Sequence, residues 1–389
     1  ISGNTRLDPR QVEKAVYPFL GPQRTIQDIE SATHALEKIY HEAGYKTVLV
    51  NIPEQDVDQG VVNLEVIEGS IGRVRISGSR YFSLGRIREK LPALQPGEVP
   101  NLPELQEQLS ALNQASKDRT ITPVMRAGRT PGTMDIELVV EDQLPLHGGI
   151  TLNNRDTQDT TALRASASLQ YDNLWQKEHS LSLLAQTSPE DTDEVKVFSG
   201  TYVMRLPDDR TYLALYGVKT DSDVATADNR SGLGDGTILG ARLIVPLPAT
   251  ETRLQSLTLG VDYKDFNNGA GGSQVPISYV NWSAKYSRTH LGTDSRTGYG
   301  VGMNFGLRGI GNTDEEFSAK RTGGKPSYAA LQLEADHLVK VAGDYGLFAS
   351  VKGQLASGAL VDNEQFGAGG VSTVRGYYES QQLGDHALQ

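Results

Sequence analysis

The residue whose type and setting most suggest chemistry is Arg375, in the stretch "GGVSTVRGYYES" from Gly369 to Ser380, between Val374 and Gly376 and followed by Tyr377. A guanidinium offers five donors in a rigid fork, suited to a carboxylate or a cluster of carbonyls. Gly369, Gly370 and Gly376 allow the backbone to turn and to approach a wall closely. Such an arginine reads either as an anchor or as an exposed loop charge, and neither is bond-making chemistry. Nothing else in the chain assembles into a catalytic constellation: there is no G-x-S-x-G, no H-E-x-x-H and no cysteine, so thiolate nucleophiles, disulfides and Cys-ligated metals are excluded. "GLGDGTILG" lacks the Lys and Ser/Thr of a phosphate-binding loop. His34 and His41 read as a solvent-facing pair on a helix, and Glu315 and Glu316 as solvated loop charges. The expectation is a non-enzymatic protein with no cofactor and no metal.

An anchor needs a scaffold, and composition bounds which one. The 389-residue chain carries a net charge of −11, which argues against nucleic acid, whose phosphates need a basic face. Mean hydropathy is −0.39, and no apolar run approaches the ~20 residues of a membrane-spanning helix. That excludes helical membrane proteins only, because a membrane β-barrel alternates lipid-facing and lumen-facing residues. Ile1 follows no initiator Met and no signal peptide is seen, so a processed or trimmed chain is expected.

Two segments echo each other at an offset of roughly seventy residues, the size of a small α/β module. "ISGNTRLDP" at Ile1 is matched by "ISGSRYFSL" at Ile76, and "NLEVIEG" at Asn63 by "DIELVVED" at Asp135. Asp8-Pro9 starts a helix, Thr25 with Asp28 caps a second, and Gly44 ends it. Strands follow around Thr47–Val50 and Val61–Ile67. The second copy repeats the order, with Ser83 and Asn101 opening its helices. The reading is β-α-α-β-β twice, over residues 1–70 and 71–143, with only the end of the opening strand present in the first copy. The open sheet edge of the first module, at Tyr45, Thr47 and Leu49, is either a place where a partner strand can add or a blunted edge on a module that serves as a spacer.

From about Leu144 the period changes to two. Leu163, Ala165, Ala167, Leu169 and Tyr171 oppose Arg164, Ser166, Ser168 and Gln170; Tyr299, Val301, Met303, Phe305 and Leu307 oppose an almost continuous glycine row. Tight turns such as "LPDDR" alternate with long loops such as "TDSDVATADNRSGLGDG" and "IGNTDEEFSAKRTGGKP", an asymmetry of outer-membrane barrels. A soluble sandwich is the competing reading; it would bury its apolar face against a second sheet. About eleven strands fit between Leu146 and Ala356, which puts the loop with "VRGY" outside the cell by origin. An odd, unclosed barrel leaves bare edges in lipid, so further strands are expected after Gln389. Asp262, Glu334 and Asp336 fall on the lumen-facing register as carboxylates that Arg375 could reach.

With two β-α-α-β-β modules, a barrel, and "QFGAGGVSTVRGYYES" after about eleven strands, the chain resembles the outer-membrane transporters of two-partner secretion, within the Omp85 superfamily. "GNTRL", "YHEAGY", "IPEQDVDQGVVNLEVIEGSIGRVRISGSRYFS" and "PNLPELQEQLSALN" carry the same resemblance. It implies a sixteen-stranded membrane β-barrel in full, about eleven to twelve strands of it over residues 144–389, preceded by two α+β POTRA domains. It implies further that the "VRGY" loop folds back into the pore, and that an acidic partner of Arg375 sits on a strand beyond the loop. The implied function is an outer-membrane pore whose periplasmic POTRA domains recognise an unfolded exoprotein bearing an N-terminal two-partner secretion domain. The exoprotein crosses without ATP, driven by its folding outside. The expected surroundings are outer-membrane lipid, and the expected state a monomer. The competing readings are an Omp85-type factor that inserts other barrels, a passive porin, and a soluble β-rich binding protein.

Overall fold

The computed structural model describes residues 1–57, 60–158, 160–208, 210–221, 235–267 and 275–389. The long segment read as a loop at 220–236 lies mostly outside the described residues, as does part of "GLGDGTILG". The chain divides into two units, Ile1–Pro145 and Leu146–Gln389.

In the first unit, Asp8 caps α1 (Pro9–Val16) by accepting from Arg10 N at 2.9 Å, and Thr25 with Asp28 forms the capping box of α2 (Ile26–Glu42). Leu36 and Tyr40 of α2 are buried against β1 (Val48–Asn51) and β2 (Glu65–Glu68). β2 begins later than its sequence suggests. The Gln55 side chain binds both Asn63 N (2.7 Å) and Asn63 O (2.8 Å), taking the place of a neighbouring strand. Ile26, the first residue of α2, is exposed.

The second copy comprises β3 (Ser70–Ser77), α3 (Leu84–Glu89), α4 (Leu102–Gln114), β4 (Arg119–Ala127) and β5 (Thr133–Asp142), with strand order β3-β5-β4. β5 turns Ile136, Leu138 and Val140 into a core with Ile87, Leu105 and Leu109. The first copy has the same pairing in reduced form: Ser2 bridges Glu65 in parallel, and β2 runs antiparallel to β1.

The repeat has a physical cause. Gly3 (φ +85°) and Gly78 (φ +89°) each lie where a Cβ would overlap a carbonyl oxygen, of Val66 and Val140 respectively. Just beyond, an acid at the end of the last strand receives the turn. Glu68 accepts from Thr5 N at 2.8 Å and Arg6 N at 3.1 Å. Asp142 accepts from Arg80 N and Tyr81 N, both at 2.9 Å, and from Ser79 Oγ at 2.9 Å. Burial works to raise the Asp142 pKa, but these hydrogen bonds outweigh it and hold the carboxyl below its ordinary value. The copies meet at Gly44 (φ +96°) and Asn101: the Asn101 amide donates to Ala43 O at 3.0 Å while its oxygen caps α4.

The second unit is an antiparallel meander of β6 (Leu146–Asn153), β7 (Arg164–Leu174), β8 (His179–Thr187), β9 (Lys196–Arg205), β10 (Tyr212–Asp221), β11 (Gly236–Pro246), β12 (Arg253–Phe266), β13 (Ile277–Leu291), β14 (Ser295–Gly306), β15 (Ala329–Ala342) and β16 (Tyr345–Ala356). These are the eleven strands expected, and each pairs with its sequence neighbours. Later come β17 (Phe366–Ala368), β18 (Gln382–Gly384) and β19 (Ala387–Leu388), the last pairing with β16 as the twelfth strand of the sheet. One face is apolar and exposed: Ile150 is 83% accessible, Leu347 62% and Val351 52%. A sandwich would have buried these side chains against a second sheet, and among the described residues no second sheet covers them. Across it Val261, Trp282 and Phe305 stand in one register on β12, β13 and β14. Connections such as 175–178, 292–294 and 343–344 are tight at one end, whereas 307–328 and the segment after β16 are long at the other.

Candidate functional site

The opposite, polar face carries charges seated over glycines. Glu334 on β15 pairs with Lys285 on β13 at 2.6 Å, reaching across β14 where Gly300 has no side chain to obstruct it. Asp262 on β12 is fully buried, gripped by both Arg242 nitrogens at 2.6 and 2.7 Å and by the Tyr216 hydroxyl, which spans Gly240 on β11. The glycine row therefore opens lanes through which polar side chains of neighbouring strands meet.

At the long-connection end the face is closed by an apolar cluster. The 307–328 connection holds a short helix, α5 (Asp314–Lys320), begun by a capping box between Thr313 and Glu316. Glu315 and Glu316 thus lie in a helical first turn, not in an irregular loop. Phe317 of α5 is buried edge-on to Tyr279 of β13, 5.5 Å between ring centres, and packs with Tyr328, Leu360 and Val361.

The segment carrying the arginine motif starts from this cluster and folds back along the polar face, with β17 and β18 as a short hairpin. Three of its own carboxylates hold it. At its root Asp385 receives both Arg321 nitrogens at 2.6 and 2.9 Å, Gln365 at 2.9 Å and Leu360 N at 3.2 Å. Burial works to raise the Asp385 pKa, but these donors outweigh it and keep the carboxyl below the ordinary range. Further along, Glu364 pairs with Lys264 of β12 and accepts from the Tyr279 hydroxyl at 2.7 Å. Near the tip, Glu379 accepts from Arg155 Nε at 2.9 Å and from Val371 N at 3.2 Å.

The residues singled out in the sequence occupy this frame unevenly. Gly369, Gly370 and Gly376 all have positive φ (+116°, +97° and +92°), and a Cβ on Gly370 would overlap the Glu379 carboxylate. Val374, Arg375 and Tyr377 are exposed at the tip. Arg375 makes no hydrogen bond or ion pair among the described residues; with Arg296 and Lys352 it lines a cavity of about 500 Å³. Asp262 and Glu334 are engaged by Arg242 and Lys285, whereas Asp336 borders the same cavity as Arg375. Glu364, Glu379 and Asp385 were not singled out. Their one sequence signal is that acids recur at the flanks of a glycine-rich stretch, too common a pattern to read.

In the first module, Leu49 is exposed, Tyr45 packs against the core, and Thr47 Oγ1 approaches Gly69 O at 3.4 Å. The edge of β1 is partly occupied by α2: Val50 N donates to Glu37 at 3.0 Å, and His41 Nε2 meets Val48 O at 3.1 Å. His41 is therefore engaged with the sheet, not free in solvent.

Residues 1–69 match the family model "POTRA domain, ShlB-type", and residues 132–388 match "Haemolysin secretion/activation protein ShlB/FhaC/HecB". A curated relative, the outer membrane transporter CdiB of Dickeya dadantii, is 24% identical over 394 aligned residues, 98% of this chain and 68% of its own length. Among solved structures, CdiB from Escherichia coli superposes with a TM-score of 0.60 at 18% identity, covering 100% of this chain and 73% of that one. BamA from Haemophilus ducreyi superposes with a TM-score of 0.57 at 13% identity, covering 98% and 75%. Both structures share the fold.

Proposed function

Because the chain belongs to the haemolysin secretion/activation protein family of outer-membrane, two-partner secretion transporters, we propose that it passes an unfolded exoprotein through its barrel to the cell surface, with no ATP and no catalytic step. The partner is an exoprotein with an N-terminal two-partner secretion domain. The first unit lies in the periplasm, and its second module, residues 71–143, acts as a second POTRA domain. The apolar face meets outer-membrane lipid, and the transporter works as a monomer.

The observation that carries this reading is the segment after β16. It is folded along the polar face by its own carboxylates, while Arg375 at its tip has no hydrogen-bond or ion-pair partner among the described residues. A loop so placed stands in the path of a chain moving through the lumen. Arg375 then serves as the anchor of an alternative loop position, with Asp336 as a carboxylate within its cavity. Partner recognition at the β1 edge near Tyr45, Thr47 and Leu49 requires an incoming strand to displace Glu37 and His41 from Val50 and Val48.

The test uses the full-length transporter with the exoprotein encoded beside it, comparing exoprotein in the medium for wild type, Arg375→Ala and no transporter. Secretion should need the transporter and fall sharply for Arg375→Ala while the barrel still inserts. Equal export without the transporter would refute the reading. A general loss of other outer-membrane barrels would favour the assembly-factor alternative.

A further inference from the structure

Lys264 and Glu364 form an ion pair in which each side chain is only 3% exposed. The pair joins strand β12 to the folded-back segment, and the Tyr279 hydroxyl donates to the same carboxylate oxygen. Gln354 on β16 donates to the Glu364 carbonyl at 3.1 Å, fixing the backbone at this point. Nothing in the arginine motif takes part.

We propose that Lys264, Tyr279 and Glu364 form the release latch of the pore loop, with Lys264 and Tyr279 as positioning residues that act through Glu364. The proposal rests on the transport reading above and names what that reading leaves open, the contact that must break for the loop to move. A buried ion pair suits this task. Its attraction is offset by the cost of removing both charges from water, so docked and released states lie close in free energy when release lets water reach both Lys264 and Glu364. Losing one partner is different, because it strands a buried charge. An aliphatic pair at the same place would hold the loop without any return of solvation on release, and so favour the docked state.

The hinge is separate from the latch. Arg321 binds the Leu360 carbonyl and both oxygens of Asp385, which ties the two ends of the loop together. Leu360 and Val361 are each 1% exposed in the apolar cluster. When Glu364 leaves Lys264, the ends stay pinned and the segment between them swings.

The 389 residues hold no cysteine, so Ser372→Cys gives a reporter at the tip, any cysteine elsewhere in the full-length transporter being replaced by serine first. In the full-length transporter, three readouts are compared: resting conductance in planar bilayers, labelling of the introduced thiol by a membrane-impermeant maleimide, and exoprotein secretion in cells. Lys264→Met and Glu364→Gln should each raise resting conductance and labelling at least about tenfold. Lys264→Met combined with Glu364→Leu should keep both near wild type yet cut secretion at least about tenfold. The charge swap Lys264→Glu with Glu364→Lys should move all three back toward wild type. Heat-modifiable migration on gels reports barrel folding, and Tyr279→Phe, which keeps the ring, should give a smaller effect of the same sign if the single charge variants fail to insert. Wild-type conductance and labelling in the inserted single variants, or in Tyr279→Phe when they fail to insert, or full secretion by the aliphatic pair, would overturn the latch. Failure of wild type to export the exoprotein would instead overturn the transport reading.

Discussion

Removing the Glu379 carboxylate should free the tip of the pore loop while leaving the rest of the barrel in place. The side chain is 8% exposed and holds two donors, Arg155 Nε at 2.9 Å and Val371 N at 3.2 Å. A hydrogen bond to a charged group is worth roughly 1.5–3 kcal/mol net. Arg155 is 38% exposed, however, so water screens the pair and its share falls to about 1 kcal/mol. Val371 is also exposed and can turn to water. For Glu379→Ala the sum is about 2 kcal/mol, or roughly a thirtyfold shift toward the open tip. Glu379→Gln, which keeps an acceptor, should cost about half as much. The assay is amide hydrogen exchange by mass spectrometry on the full transporter, read over residues 369–381, where protection reports local opening. Arg375→Ala is the counterpart: with no bond from Arg375 to any described residue, it should leave exchange at the tip unchanged although secretion falls. Unchanged protection in Glu379→Ala, or an equal loss in Arg375→Ala, would refute the assignment of Glu379 as the tether.

Gly78→Ala should destabilise the first unit by about 3 kcal/mol, because positive φ and overlap with Val140 O act together. Gly97→Ala, at φ +91° with nothing near its Cβ, should cost about 1 kcal/mol; urea midpoints compare the two. Acid should weaken the same unit through Asp142. Its folded pKa is depressed, so its contribution is complete above the unfolded value of about 3.9 and is lost as pH falls from there through the folded value. Asp142→Asn should flatten that acid limb of urea midpoint against pH.

The sequence by itself determined the elements and their faces. Asp8, Thr25 and Asn101 could be read as helix caps because capping is local: side chain and receiving N–H are within three residues. The matched "ISG" and acid-ended segments exposed the repeat, since each copy must solve the same turn with a glycine and an acid. Strand number and sidedness followed from a period of two, which a strand imposes whatever it packs on. What only the tertiary structure decided were pairings between residues far apart along the chain. Arg155 with Glu379, Lys264 with Glu364 and Arg321 with Asp385 have no sequence signature, because any exposed acid and base look alike until a fold brings them together. The same distance hid the partners of Asp262 and Glu334: the alternation placed both on the polar face, but Arg242 and Lys285 reach them only through lanes that Gly240 and Gly300 leave open. Arg375, the most conspicuous residue in the sequence, is exposed and has no partner among the described residues, because burial, not prominence, fixes which charges must be matched.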